Sequence, residues 1–217
     1  LNEMFIRSKF HFGTADEREL AGKMIDAVAQ DVYYKDEPQI WIFDRGFPSL
    51  SLIQKLLEHR LYFVMRVSSS FLKEVNAFRK SKYVDRVIHI EYSERRATQN
   101  HVHSDGISQF DLRCVRVKLP SGEDEILVTN LDRKDFPKRD IKEIYRLRWG
   151  IETGFNYLKN AVFVEEFVSK TENGLAQDYF VSLLVYNFAT CICGSMYPNI
   201  PKKENTSTRS IEELPPD

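Results

Sequence analysis

Cysteine is scarce in this sequence, with three in 217 residues at positions 114, 191 and 193. So few thiols exclude a disulfide scaffold, and without a second close pair Cys191 and Cys193 lack a zinc framework; they read as core packing. An excess of one charge is also missing, since 31 basic residues face 32 acidic ones for a formal net charge of −1. That balance excludes a uniformly basic coat for nucleic acid. There is no internal repeat and no secretory leader, so a reducing cytoplasm is the expected compartment. Long apolar runs are absent apart from residues 179–200, and there Ser182, Asn187, Thr190, Ser195 and Pro198 suit a membrane span poorly. A buried helix is expected instead. His101 and His103 are spaced like paired ligands, but they stand in a polar stretch that reads as a loop.

What is present is a chain that is 42% hydrophobic and 29% charged, ample for one core with an insertion. Thr14 and Glu17 have capping-box spacing ahead of a helix over Glu17–Ala29. Gln39–Phe43 is a short apolar run of the kind found in central parallel strands, and Asp44 stands at its carboxyl end before Arg45-Gly46-Phe47. The ends of such strands host ligands. A helix over 51–59 and a strand over 61–67 follow. The pattern then alternates over 87–92, 112–119 and 125–130, with a turn at 120–123 that makes the last two a hairpin. About a hundred residues separate Asp44 from Glu152, far more than a simple connection needs, so an inserted antiparallel β subdomain is expected between them. Leu1–Phe10 also reads as a strand.

The most specific stretch is IYRLRWGIETGFNYLKN, where Tyr145, Arg148, Glu152 and Lys159 have the spacing Y-x2-R-x3-E-x6-K. On one continuous helix, offsets of 3, 7 and 14 from Tyr145 fall at about 300°, 340° and 320°, a single polar stripe. Ile144, Leu147, Ile151, Phe155 and Leu158 would supply the core face. The bland alternative is an ordinary i,i+4 ion pair between Arg148 and Glu152, stabilising by a few tenths of a kcal/mol. Trp149, about 40° from Tyr145 on the same helix, is a candidate for stacking on a base. Lys138, Arg139, Lys142, Arg146 and Arg148 add positive charge ahead of Glu152, with Asp140 and Glu143 interleaved.

All four positions match the signature of the DDE transposases of bacterial insertion sequences, in the branch characterised by this Tyr, Arg, Glu, Lys pattern. Asp44-Arg45-Gly46-Phe47 also resembles that family's D-x-G-[FY] context around its second catalytic Asp. The resemblance implies an α/β, ribonuclease H-like mixed sheet with flanking helices. It implies Asp44 and Glu152 as catalytic metal ligands, and Tyr145, Arg148 and Lys159 as holders of DNA phosphates. Two Mg2+ ions are the implied cofactor, with Mn2+ as a substitute. The implied reaction is cut-and-paste transposition, with strand cleavage and strand transfer at the transposon ends. The implied partners are transposon-end double-stranded DNA and target DNA, with a homodimer in a paired-end complex and no membrane.

Residues 1–67 and 132–200 are expected to form the core, 68–131 the inserted β subdomain and second DNA surface, and 201–217 a disordered tail. The family's first catalytic Asp should stand on the first strand, yet no Asp before Asp44 falls in a strand-like run. The first strands are therefore expected ahead of residue 1, which would leave this chain a C-terminal portion, inactive alone. Two other readings stand beside this one: a non-catalytic DNA-binding remnant, and a metal-dependent nuclease that cuts without joining.

Overall fold

Alternation along the strands decides the layers. In the computed structural model, which describes residues 4–11, 15–91, 109–119, 122–161 and 169–196, β1 (Ile40–Phe43) pairs in parallel with β2 (Tyr62–Arg66). The strands β3 (Asp85–Glu91), β4 (Gln109–Lys118) and β5 (Asp124–Thr129) complete a five-stranded mixed sheet in the order β1-β2-β5-β4-β3. Phe63 and Met65 of β2 enter one apolar cluster, with Ile126 and Val128 of β5 and Leu112 and Cys114 of β4. Val64, one residue out of phase, enters the cluster on the opposite face with Val115, Val117 and Leu127. The period of two therefore serves two buried faces at once.

Helices α1 (Glu17–Ala29), α2 (Leu50–Glu58) and α3 (Lys73–Lys80) contribute Ile25, Ile53, Leu56, Val75 and Phe78 to the first face. The second face receives Ile141 and Tyr145 of α4 (Lys138–Arg146). This is the α/β arrangement with a mixed sheet and flanking helices that the sequence led us to expect. Two further helices, α5 (Trp149–Ala161) and α6 (Glu172–Met196), belong elsewhere. The chain divides into a unit centred on Asp16–Arg146, which holds the whole sheet, and a unit drawn from Leu1–Ala15 and Leu147–Thr208.

Several expectations are corrected. Met4–His11 is no strand; both backbone hydrogen-bonding groups of Phe5 are taken by the Asn187 side-chain amide, at 2.8 and 2.7 Å, which substitutes for a strand partner. The cap of α1 is Asp16, whose carboxylate accepts from the Arg18 N–H at 2.9 Å. Thr14, the 101–103 histidines, residues 120–121 and the tail from 197 lie outside the described residues. Among the described strands only β2 pairs with β1. As expected, antiparallel strands β3, β4 and β5 lie between Asp44 and Glu152, and they join the parent sheet where β5 bonds to β2 in the register Val64 to Thr129. The run from 179 does form a helix, but not a buried one: Ser182, Leu183 and Tyr186 are covered while Phe180, Leu184 and Phe188 face outward. Among the described residues no helix is long and apolar enough to cross a membrane.

Cys191 and Cys193 are likewise exposed and only Cys114 is buried, where desolvation and then the nearby Asp85 charge push its thiol up to about 12. Native protein should therefore react with a thiol reagent at positions 191 and 193, and at 114 only after unfolding. Peptide mapping of the labelled protein would check this.

Helix α2 ends in a Schellman motif. Leu61 N–H bonds to Leu56 C=O at 2.8 Å and Arg60 N–H to Leu57 C=O at 3.0 Å, which drives Arg60 to a φ of 54°. A side chain with a Cβ is strained there, so Arg60→Gly should stabilise the protein, by roughly 0.5–1 kcal/mol in a denaturant titration.

Candidate functional site

Parity along β1 fixes where Asp44 points. Ile40 and Ile42 pack on the α4 face of the sheet, and Asp44, two residues on, continues that face beyond the last paired residues Phe43 and Met65. The chain then turns sharply, with Phe47 N–H bonding to Asp44 C=O at 3.1 Å. Arg45 N–H donates to the Asp44 carboxylate at 2.7 Å, and Arg18 Nε braces the turn through Gly46 C=O at 2.8 Å. The half-exposed carboxylate thus sits at the carboxyl end of a parallel strand. From α4 the largely buried Tyr145 donates its hydroxyl to Asp44 Oδ1 at 3.2 Å. Two residues one hundred and one positions apart, singled out by independent patterns, are in contact.

The other signature residues lie on the second unit, and here the single stripe is corrected. The chain turns at Leu147 and Arg148 between α4 and α5, with the tighter bonds Gly150 N–H to Leu147 C=O and Ile151 N–H to Arg148 C=O at 3.0 and 3.2 Å. The segment is therefore two helices and not one. Of the five apolar residues expected to share one face, Ile144 packs on the sheet and Leu158 joins Leu183 and Tyr186. Leu147, Ile151 and Phe155 are exposed, at 48%, 58% and 44%.

Within α5, Glu152 lies in the first turn, where the helix dipole favours an anion, and Lys159 in the last, where it favours a cation. The pair stays on one face, about 20° apart by the helical period. Arg148 donates to Glu152 Oε1 at 2.6 Å, and its guanidinium lies 5.3 Å from the centre of the exposed Trp149 ring. The structure thus assembles the expected residues as two groups, Asp44 with Tyr145 and Arg148 with Glu152 and Trp149.

One residue near Asp44 was not anticipated. Arg66 ends β2 on the same face, its Nη1 4.0 Å from Asp44 Oδ1 and its Nη2 2.6 Å from Oε1 of Glu125 on β5. The signal was available in LYFVMRV: Arg66 continues the parity of Tyr62 and Val64 at the carboxyl end of the strand parallel to β1.

As to metal, half-exposed carboxylates such as Asp44 and Glu152 are hard oxygen donors of the type that Mg2+ prefers. Among the described residues no group of three or more His, Cys, Asp or Glu converges on one point. The earlier Asp residues have other places: Asp16 caps α1, Asp26 on α1 binds Lys55 at 2.6 Å, and Asp31 and Asp36 lie in the following loop.

A family model described as transposase DDE domain matches residues 1–188. A protein of Sinorhizobium fredii named as a transposase is 26% identical over 149 residues, covering 67% of this chain and 40% of its own length. One of Synechocystis, named as a transposase for insertion sequence element IS4SA, is 22% identical over 81% of this chain and 46% of itself. One of Geobacillus stearothermophilus, named as a transposase for insertion sequence element IS5377, is 22% identical over 80% of this chain and 43% of itself. The chain spans less than half the length of these relatives.

Proposed function

Because the chain belongs to the transposase DDE domain family, we propose that it is the catalytic portion of an enzyme that moves an insertion sequence by cutting and pasting DNA. The observation that carries this reading is the contact between Asp44, at the end of a parallel strand, and the signature residue Tyr145. In the cleavage step the oxygen of water bonds to phosphorus while the 3′ oxygen leaves and takes up a proton. In strand transfer that 3′ hydroxyl attacks a target phosphodiester, and the target's own 3′ oxygen leaves. Both are in-line displacements, in which divalent cations stabilise the attacking and leaving oxygens. Asp44 and Glu152 are the ligands we assign to Mg2+, for which Mn2+ would substitute. Arg148 and Lys159 supply positive charge for phosphates, Tyr145 orients Asp44, and Trp149 offers an exposed ring for a base. Asp44 and Glu152 stand for two of the family's three carboxylates.

DNA binding tests the phosphate roles. Lys159→Ala and Arg148→Ala should each weaken binding to transposon-end duplex and lower the slope of log affinity against log salt by about 0.9, one phosphate contact's worth. Glu152→Ala should not weaken it. Equal loss from all three would mean that the helix merely needs them to fold. A DNA-binding remnant would keep the salt dependence while Asp44→Ala and Glu152→Ala changed nothing beyond electrostatics. Strand-transfer products would exclude a nuclease that only cuts. We assign the working enzyme to the cytoplasm, on the nucleoid when DNA-bound, as a homodimer pairing two transposon ends.

A further inference from the structure

We propose that Arg66, held by Glu125, is a functional residue of the Asp44 site: it guards the carboxylate electrostatically and presents a guanidinium edge to a DNA phosphate there. This rests on the reading of Asp44 given above. The geometry has three parts. Arg66 stands beside Asp44 at the carboxyl ends of two parallel strands, where ligands of such sheets collect. Its partners are unequal, with Glu125 in full hydrogen-bond contact at 2.6 Å and Asp44 at the limit of ion pairing, 4.0 Å. Glu125 is largely covered while Arg66 and Asp44 keep about a third or more of their side chains open, so the fixed end of the pairing is Glu125 and the open end is at Asp44.

A guanidinium offers five donors in a rigid fork, and one edge can stay on a carboxylate while the other turns to phosphate. Its charge beside Asp44 opposes cation binding to that carboxylate. Once DNA is present, the same charge favours the phosphate oxygens that must lie next to Asp44 for any reaction there. Arg66 therefore couples the two ligands, weakening the cation alone and strengthening DNA.

The test is direct titration of the full chain with Mn2+, followed by electron paramagnetic resonance, and with transposon-end duplex in Ca2+ at several salt concentrations. Arg66→Ala should bind Mn2+ more tightly, about threefold or more, because a repelling charge is gone. The same variant should bind DNA several-fold more weakly, with the salt slope reduced by about 0.9. Arg66→Lys should keep the wild-type Mn2+ affinity, because the charge remains, but bind DNA more weakly, because an ammonium offers no second edge to a phosphate. Glu125→Gln should weaken Mn2+ binding, since it releases the guanidinium toward Asp44.

A merely structural Arg66 would lower both affinities together, and that result would overturn the proposal, as would unchanged Mn2+ or DNA affinity in Arg66→Ala. Circular dichroism melts show which variants are folded, and if Arg66→Ala is not, Arg66→Gln, which also removes the charge, carries the test with the same expected changes. If Asp44→Ala leaves Mn2+ binding unaltered, the assignment of Asp44 itself fails, an outcome distinguishable from failure at Arg66 alone.

Discussion

Arg113→Met should lower the free energy of unfolding by about 3–5 kcal/mol, the usual cost of breaking a buried ion pair from one side. Arg113 is 3% exposed in the middle of β4, an unusual place for a charge. It is fully engaged. Its Nε and Nη2 bind the two oxygens of Asp85 on β3 at 3.0 and 2.8 Å, and Nη1 donates to the carbonyls of Leu131, Asp132 and Phe136 at 3.2, 3.1 and 2.7 Å. The side chain thus ties the outer strand pair to the loop that feeds α4 and so positions Tyr145. Removing it leaves Asp85 with Arg133 and three carbonyls short of a donor.

Urea titration measures the loss, and a change under 1 kcal/mol would mean that water substitutes freely at these carbonyls. The same pair gives a pH dependence. Burial alone would raise the Asp85 carboxyl, but the hydrogen bonds and charge of Arg113 and then Arg133 outweigh it and hold it below the usual range. A carboxyl whose pKa is lowered by folding contributes stability at neutral pH that fades as pH falls below the ordinary carboxylate range. Asp85→Asn should be less stable near neutrality and show a shallower acid limb.

Asp44→Ala should reduce Mn2+ affinity at least 10–100-fold, because loss of a mere outer-shell partner already costs about that much and a direct ligand costs no less. Calorimetry or spin resonance would read it. The fold should tolerate the change, since the Asp44 carboxylate is half open to solvent and the preceding Ile42 and Phe43 keep their places in the two apolar clusters. Wild-type affinity in the variant would remove Asp44 from the cation site. Glu152→Ala should lower the affinity comparably, and Tyr145→Phe only modestly, because the tyrosine hydroxyl orients a carboxylate rather than donating electrons to a cation.

Much of this was legible before any coordinates. Helix α1 begins and ends where its apolar spacing says, and Asp44 lies at the strand end implied by the run before it. The hairpin β4–β5 also follows its alternation. Failures came where a distant partner overrides local pattern. Phe5 looks like part of a strand, but its backbone bonds go to Asn187, and no local rule foresees a side-chain amide 182 residues away. The signature was treated as one helix because nothing between Tyr145 and Lys159 forbids it. Gly150 weakens the helix there, but a single glycine does not announce a turn. The apolar composition of α6 implied burial, whereas among its described side chains Ser182, Leu183 and Tyr186 are the buried ones. Arg66 was missed for a simpler reason: the charge at the end of LYFVMRV looked like the end of a strand rather than part of a site.

The pairing of β2 with β5 has a consequence for how the protein is made. Val64 has its partner at Thr129, so when β2 leaves the ribosome one edge can close on β1 while the other waits for some sixty residues still to be added. At 5–20 residues per second that interval is about 3–13 s. For those seconds a strand whose Phe63, Val64 and Met65 are fully buried in the folded sheet presents an open edge, the condition under which chains pair with one another instead of with themselves. The nascent chain thus depends on chaperones, and is open to aggregation, in the interval between the synthesis of β2 and that of β5.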